Sequence, residues 1–482
     1  MADLLQAIAL DAESARPLYR QLADSVSQLI ENGAIQAGDR LPPTRELASQ
    51  LGLNRTTVAA AYSTLEEAGL IRGHVGRGSF VAERPRTAET SDRPAVQGPG
   101  IQISFSNSRP ASDAFPLAEF RHFAKQVIDS SEAGSILQLG PTHGYGPLRR
   151  FLLSDAIECG IARPSDDLII TNGCQQALDL LARVFLSAGT AAVIEDPVYH
   201  GLIRAFSRCD AELLPVPVDA HGLDINALET TLIRYRPKLL VVTPSFQNPT
   251  GATLPLDRRR RIVELARQHG ALLVENDIYT ELRYSGQPLD TLKQLDDSGN
   301  TILLRSYSKI LFPGLRVGWA IGPRPLIARL ADAKQISDLH SDQLSQAVLL
   351  RFTESGELAR HIDRTRISGA QKLAAAVAAC GRYLPPGASF TTPEGGMNLW
   401  IELPAPLNAE FLLARTQERG VDFLPGQNFS ARRNHSNGLR LSFSGLPIEE
   451  IERGIEIIGA CVERELQSSH SAIANEPAAV LV

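Results

Sequence analysis

The chain has 482 residues, 43% hydrophobic and 21% charged, with a formal net charge of −6; that length exceeds one ordinary domain, and the acidic balance excludes bulk affinity for nucleic acid. No apolar run approaches the ~20 residues of a bilayer span, and the first residues carry acids at positions 3, 11 and 13 with no basic n-region, unlike a secretory signal. Five scattered cysteines without metal-ligand spacing fit a reduced, cytoplasmic protein with no membrane segment and no metal.

From Pro17 to Gly33, Leu18, Leu22, Val26, Leu29 and Ile30 form the apolar stripe of an amphipathic helix. "GDRLPP" breaks it, and "TRELASQLGL" predicts a short helix from Thr44 ended by Gly52. "NRTTVAAAYSTLEEAGL" predicts a third, with Asn54 as its N-cap. "LIRGHVGRGSFVA" predicts a hairpin over 70–82. Residues 1–82 hold seven Arg and no Lys against nine acids, but 40–82 hold five Arg against three Glu. A DNA contact would therefore use this local face. Two short helices around a glycine turn, with Arg55, Thr56 and Thr57 opening the second, suit a helix-turn-helix. Arg45 would reach a phosphate or base, with Gly76 in the wing and Arg72 or Arg77 entering the minor groove. A helical docking domain with solvated Arg and Thr is the alternative. The full run "PLYRQLADSVSQLIENGAIQAGDRLPPTRELASQLGLNRTTVAAAYSTLEEAGLIRGHVGRGSFV" resembles, nearly end to end, the winged-helix domain of GntR-type bacterial regulators. That resemblance implies operator contacts by Arg45, Arg55, Thr56, Thr57 and Gly76.

Residues 83–100 lack periodicity and are rich in Pro, Gly and charge, which predicts a linker. From 101 the pattern becomes α/β. "DLIIT", "AAVIED", "KLLVVTP", "ALLVEND" and "TILLRSYS" are short apolar strands separated by helical stretches such as Leu256 to Gln268, which fits a mostly parallel sheet covered on both faces. The domain is expected over 101–466, with a loosely ordered tail over 467–482.

Four stretches carry chemistry. "TNGCQQAL" turns from strand into helix at Gly173, a phosphate-binding geometry, although alone it is a plain βα turn. "SFQNPTG" places Asn248 at a strand end, able to aim its amide at a ligand, although Asn-Pro also makes simple turns. "LLVENDIYTEL" ends an apolar strand at Asp277, a carboxylate that needs a partner such as a protonated pyridine nitrogen, or serves as a helix cap. "RSYSKILFPGLR" sets Lys309 between Ser306, Ser308 and Arg316; a desolvated lysine is an amine nucleophile, and the other three suit a phosphate dianion. Together they describe a pocket for pyridoxal 5′-phosphate with Lys309 as the Schiff-base lysine.

In this order they resemble the fold-type I, aspartate aminotransferase-like enzymes. The resemblance implies that Asn248 and Tyr279 contact the phenolic oxygen and Asp277 the ring nitrogen. It implies that Tyr199 stacks on the ring and that Gly173, Cys174, Gln175, Ser306, Ser308 and Arg316 form the phosphate site. In "GLRLSFS", it makes Arg440 the residue that grips a substrate carboxylate. One departure is Leu139, which stands where the family motif carries an aromatic residue that reaches the phosphate across the subunit interface.

The fusion of a winged helix to such a domain resembles the MocR family of transcription regulators. That resemblance implies an α+β winged helix-turn-helix followed by an α/β fold-type I domain with a smaller C-terminal α+β subdomain. It also implies a head-to-tail homodimer on double-stranded operator DNA. An amino-compound effector would form an external aldimine with the cofactor of Lys309. A working aminotransferase with an accessory N-terminal domain is the rival expectation.

Overall fold

The computed structural model describes residues 18–31, 35, 39–67, 70–74, 78–81 and 100–474. The chain divides into two compact units, Met1–Val96 and Gln97–Val482.

In the first unit, helices α1 (Leu18–Glu31), α2 (Thr44–Leu51) and α3 (Arg55–Glu67) precede the hairpin β1–β2 (Ile71–His74 and Gly78–Val81). Gly52 ends α2 with φ +65°, a left-handed cap that a residue with a Cβ adopts only with strain. Asn54 Oδ1 accepts hydrogen bonds from the Thr56 amide at 3.1 Å and the Thr56 hydroxyl at 3.0 Å, fixing the start of α3. The apolar stripe of α1 (Leu22, Val26, Leu29) packs on Leu47, Val58, Ala61, Tyr62 and Leu65. The buried Tyr62 hydroxyl donates to the Pro42 carbonyl at 2.8 Å, tying α3 to the chain before α2. Arg40 bridges to Phe80, so the segment before α2 lies against the hairpin.

The second unit is built on an eight-stranded sheet. In chain order its strands are β3 (Asp166–Asn172), β4 (Ala191–Asp196), β5 (Glu212–Asp219), β6 (Gly222–Leu223), β7 (Leu239–Val242), β8 (Leu272–Asn276), β9 (Thr301–Ser306) and β10 (Val317–Pro323). Across the sheet they run β3-β10-β9-β8-β7-β4-β5-β6. The pairs from β9 through β8, β7 and β4 to β5 are all parallel, whereas β10 runs antiparallel to both of its neighbours and β6 folds back on β5. Strands β7 and β8 are buried at every position because both faces are covered. One cluster joins Leu272, Val274, Ile302 and Leu304 to helix α4 (Cys174–Phe185); on the opposite face Leu240, Val242 and Leu273 pack on Leu228, Leu232 and Ile262.

A smaller four-stranded antiparallel sheet contains Asn398–Glu402 and Gly438–Ser442 and packs against the two long helices Glu357–Tyr383 and Ile448–Ala474. The last helix continues to Ala474, past the residue where the sequence pattern places a loose tail, and 475–482 lie outside the described residues. No described helix is long and apolar enough to cross a membrane.

Candidate functional site

The parallel strands of the sheet point their carboxyl ends at one edge, where open α/β sheets bind ligands. A half-open cavity of about 200 Å³ lies there.

One end of it, at the start of α4, is built from backbone. Gly173, with φ +75°, precedes α4, and a Cβ at that position would collide with the Arg316 guanidinium. A Cβ on Gly318 would come within 2.9 Å of Gly173 Cα, so strand β10 passes directly behind the turn. Helix α4 has no side-chain cap, which leaves its first-turn amides for an anion. Ser306 Oγ lies 2.9 Å from Ser308 Oγ, and Arg316 Nη2 donates to the Asn172 carbonyl at 3.2 Å. The Cys174 thiol turns toward the Arg305 carbonyl at 3.3 Å, and burial pushes it up to about 12. It is therefore a neutral small side chain, and its contribution to the site is its amide.

Beyond the α4 end stand Lys309, Asn248, Tyr279 and Arg440. Lys309 Nζ donates to the Ser108 carbonyl at 2.6 Å and sits 5.8 Å from the centroid of the Tyr279 ring. Asn248 bridges two of its neighbours: its Nδ2 donates to Tyr279 Oη at 3.3 Å, and its Oδ1 accepts from Arg440 Nη1 at 3.1 Å. Arg440 is 2% exposed. It also donates to the Ser106 carbonyl, and its Nε is buried without a partner. Among the described residues no carboxylate pairs with it, and burial pushes its guanidinium down to about 10. A buried cation facing a cavity without a counter-ion is an anion site. Tyr199 lies on the cavity wall, and a Cβ on Gly201 would collide with its ring.

The cavity thus brings together Cys174, Gln175, Tyr199, Asn248, Tyr279, Ser306, Ser308, Lys309, Arg316 and Arg440, with Gly173 immediately behind. It does not bring in Asp277. The carboxylate of Asp277 is held by Arg305, whose Nε and Nη2 donate to Oδ2 at 3.0 and 2.8 Å. It lines a neighbouring hollow together with Arg305, Tyr307 and Trp319. The residue of this strand that faces the cavity is Asn276. Alternation along β8 explains the placement: Val274 packs toward α4, and Glu275 faces the other way, accepting from the Leu292 and Lys293 amides at 2.9 Å each. Reading "EN" as the run-up to the acid misses this parity. The reading also misses the Ser106–Ser108 segment, whose carbonyls hold Lys309 and Arg440. No side-chain motif marks a backbone contribution of that kind.

The donor set fits pyridoxal 5′-phosphate. Four buried polar atoms without partners (Ser108 Oγ, Gln175 Oε1, Asn276 Oδ1 and Arg440 Nε) belong to residues of this one cavity. The amides, hydroxyls and guanidinium at the α4 end suit a phosphate dianion. The comparisons with known proteins agree. Residues 101–458 match the aminotransferase class I and II family. The chain belongs to that family. Residues 18–81 match the gntR family of bacterial regulatory proteins, so a DNA-binding winged helix precedes the aminotransferase unit, as in MocR-type regulators. The chain is 29% identical over 472 residues to the probable rhizopine catabolism regulatory protein MocR of Rhizobium meliloti, covering 93% of this chain and 94% of that protein. It is 38% identical to the 2-aminoadipate transaminase of Thermus thermophilus, over 76% of this chain and 91% of that one. Among solved structures, the α-aminoadipate aminotransferase LysN from Thermus thermophilus, complexed with N-(5′-phosphopyridoxyl)-L-leucine, superposes with a TM-score of 0.72 at 38% identity. That match covers 77% of this chain and 94% of LysN. The multiple substrate aminotransferase from Thermococcus profundus gives 0.74 at 34%, covering 77% and 93%. Pyridoxal phosphate is the cofactor of this MocR-type chain.

In the winged helix, Arg45, Arg55 and Thr56 are exposed and Thr57 is half-buried. Arg55 opens α3, where a recognition helix presents its first turn to base edges. Gly76 and Arg77 lie outside the described residues, as does the side chain of Arg72. Leu139 is 79% exposed.

Proposed function

We propose that this chain is a transcription regulator whose aminotransferase-like unit senses an amino compound and whose winged helix reads operator DNA. The observation that carries the proposal is the buried, uncompensated Arg440 guanidinium in a cavity that also holds an amine, Lys309, in a chain whose winged helix exposes Arg55 and Thr56 at the start of α3. When bound, the cofactor supplies an electrophilic carbonyl carbon to which amines add.

The protein's residues do the rest. Lys309 is the amine that would hold the cofactor covalently. Gly173, the first-turn amides of α4, Ser306, Ser308 and Arg316 hold the phosphate. Tyr199 covers the ring. Asn248 and Tyr279 fix the phenolic side, and their mutual hydrogen bond keeps the tyrosine hydroxyl oriented. Arg440 receives the effector's acidic group through its free Nε and Nη edge, with Asn248 setting the plane of the guanidinium. Because Asn248 touches both Tyr279 and Arg440, an effector on the arginine is felt at the cofactor. An effector shifts the protein between states only by its differential affinity for them. We assign the readout to a head-to-tail homodimer whose two winged helices address two half-sites, through Arg45, Arg55, Thr56, Thr57 and the wing residues Arg72, Gly76 and Arg77. A cytoplasmic location follows from that role.

A screen of amino compounds for a spectral change of the bound cofactor, with DNA binding repeated for each hit, tests the proposal. Hits that alter DNA binding support it. Hits that are turned over continuously while DNA binding stays constant support instead a working aminotransferase, a reading favoured by the 38% identity to a transaminase.

A further inference from the structure

Family chemistry calls for a carboxylate against the ring nitrogen of pyridoxal phosphate, because an adjacent negative charge holds a proton there. The strand that should deliver it ends differently in this chain. Asn276, not Asp277, faces the cavity; its Oδ1 is buried without a partner, and its Nδ2 lies 3.4 Å from Thr243 Oγ1. We propose that the cofactor's ring nitrogen meets the neutral amide of Asn276 and stays unprotonated, so that the site captures amines covalently but promotes proton loss from their α-carbon poorly. The proposal rests on the cofactor assignment above.

Position comes first. The phosphate donors occupy the α4 end, and Lys309, Asn248 and Tyr279 take the carbonyl and phenolic side. The ring nitrogen is para to the carbonyl-bearing carbon and so points away from Lys309. Asn276 is the polar side chain that strand β8 offers the cavity. Charge comes second. Among the described residues, the cavity is lined by the cations Lys309, Arg316 and Arg440 and by no carboxylate. The charge of Asp277 is taken up by Arg305 at 2.8 Å. Glu275 turns to the opposite face, where the Leu292 and Lys293 amides bind it. Glu195 is buried under Thr243 and Gln247. An amide offers a donor at one end and an acceptor at the other; turned so that its Oδ1 accepts from the Thr243 hydroxyl, Asn276 presents its NH₂ to the cavity as the donor a neutral pyridine needs. It supplies no negative charge with which to hold a proton on the ring nitrogen.

The chemical consequence follows by balance. Removing the α-hydrogen of a bound amine as a proton, taken up by the freed amine of Lys309, leaves its electron pair on the α-carbon, and the ring takes up that pair only as far as its nitrogen can carry it. Protonated, the nitrogen becomes neutral on accepting the pair; unprotonated, it becomes an anion facing an amide. The first is a catalyst and the second a covalent receptor, which is the behaviour a sensor requires.

The test is the ¹⁵N resonance of ring-labelled pyridoxal phosphate bound to the full-length protein, with Asn276→Asp and Asp277→Asn as variants. The wild-type protein is expected to show the downfield shift of a neutral pyridine. Asn276→Asp moves the resonance upfield to the pyridinium position and raises the rate of α-hydrogen exchange of a bound amino acid on the order of 10²-fold, the usual effect of one oriented charge-stabilising group. Asp277→Asn leaves the resonance in place. A pyridinium resonance in the wild-type protein, or one that moves with Asp277→Asn and not with Asn276→Asp, overturns the proposal. The wild-type spectrum decides even if a variant fails to fold. A wild-type protein that binds no labelled cofactor overturns the cofactor assignment itself, an outcome distinct from a bound but protonated ring.

Discussion

Replacing Arg440 with methionine separates the cost of this residue to the fold from its value to the ligand. In the folded protein the guanidinium is 2% exposed and pushed down to about 10 by burial, an ionisation cost of about 3 kcal/mol at roughly 1.4 kcal/mol per pH unit. Methionine removes that cost and fills similar volume. Against this stand the lost hydrogen bonds to Asn248 Oδ1 and the Ser106 carbonyl, each leaving a buried acceptor unpaired at about 1–3 kcal/mol. The two sides nearly cancel, so the effector-free protein should keep its melting temperature within a few degrees. The effector has no such compensation. Its acidic group loses the cavity's buried counter-ion, a loss of about 3–4 kcal/mol, so its Kd should rise roughly 10²- to 10³-fold. Arg440→Lys keeps the charge without the planar fork and should recover only part of the affinity. The assay is titration of the cofactor's absorbance with the effector, paired with thermal melts in its absence. Affinity unchanged within threefold in Arg440→Met would refute the role given to the arginine, and a large fall in melting temperature would refute the charge argument.

Other outcomes follow from the same geometry. Lys309→Ala should eliminate covalent fixation of the cofactor by borohydride, because among the described residues no other lysine lines the cavity; cofactor still fixed in the variant would remove Lys309 from its role. In the winged helix, Arg45→Ala should weaken binding across sequences and lower the salt slope by about one, whereas Arg55→Ala should erase the discrete footprint; filter binding and footprinting read both. Glu195 is buried under hydrogen bonds from Thr243 and Gln247 and pushed up to about 8 by burial. With the folded value above the unfolded one, its stability contribution is complete below about 4.5 and is lost as pH rises toward 8. Glu195→Gln should flatten the denaturant-measured stability profile between those limits, and an unchanged slope would place that slope elsewhere.

Much of this architecture is written in local signals. The left-handed Gly52, the Asn54 cap and the apolar stripe of α1 are short-range features, and the helices form where those features place them. The continuous apolar runs at 191–194, 239–242 and 272–274 announce a sheet covered on both faces. Strand β10 was less visible because it follows Arg316, reads as a continuation of the lysine loop and contains Trp319, whose ring lies tilted against that of Tyr307. Strand β5 carries Pro215 and Pro217, which argue against a strand by sequence alone. The site was legible in its residue types and less so in its orientations. Asp277 and Asn276 are adjacent polar residues at the end of the same strand, and composition cannot say which faces the ligand. Only the alternation set by Glu275 and the competing guanidinium of Arg305 decides it, and that partner lies 28 positions away.

The central claim, that amine capture in the large unit is reported to DNA, is tested most directly by operator binding of the cofactor-loaded protein. Binding is measured with and without an amino compound that shifts the cofactor's absorbance, in the wild type and in Lys309→Ala. The account predicts a change in affinity or footprint for the wild type that disappears in the variant. Wild-type binding indifferent to a compound that saturates the cofactor, accompanied by steady release of keto acid, would contradict it.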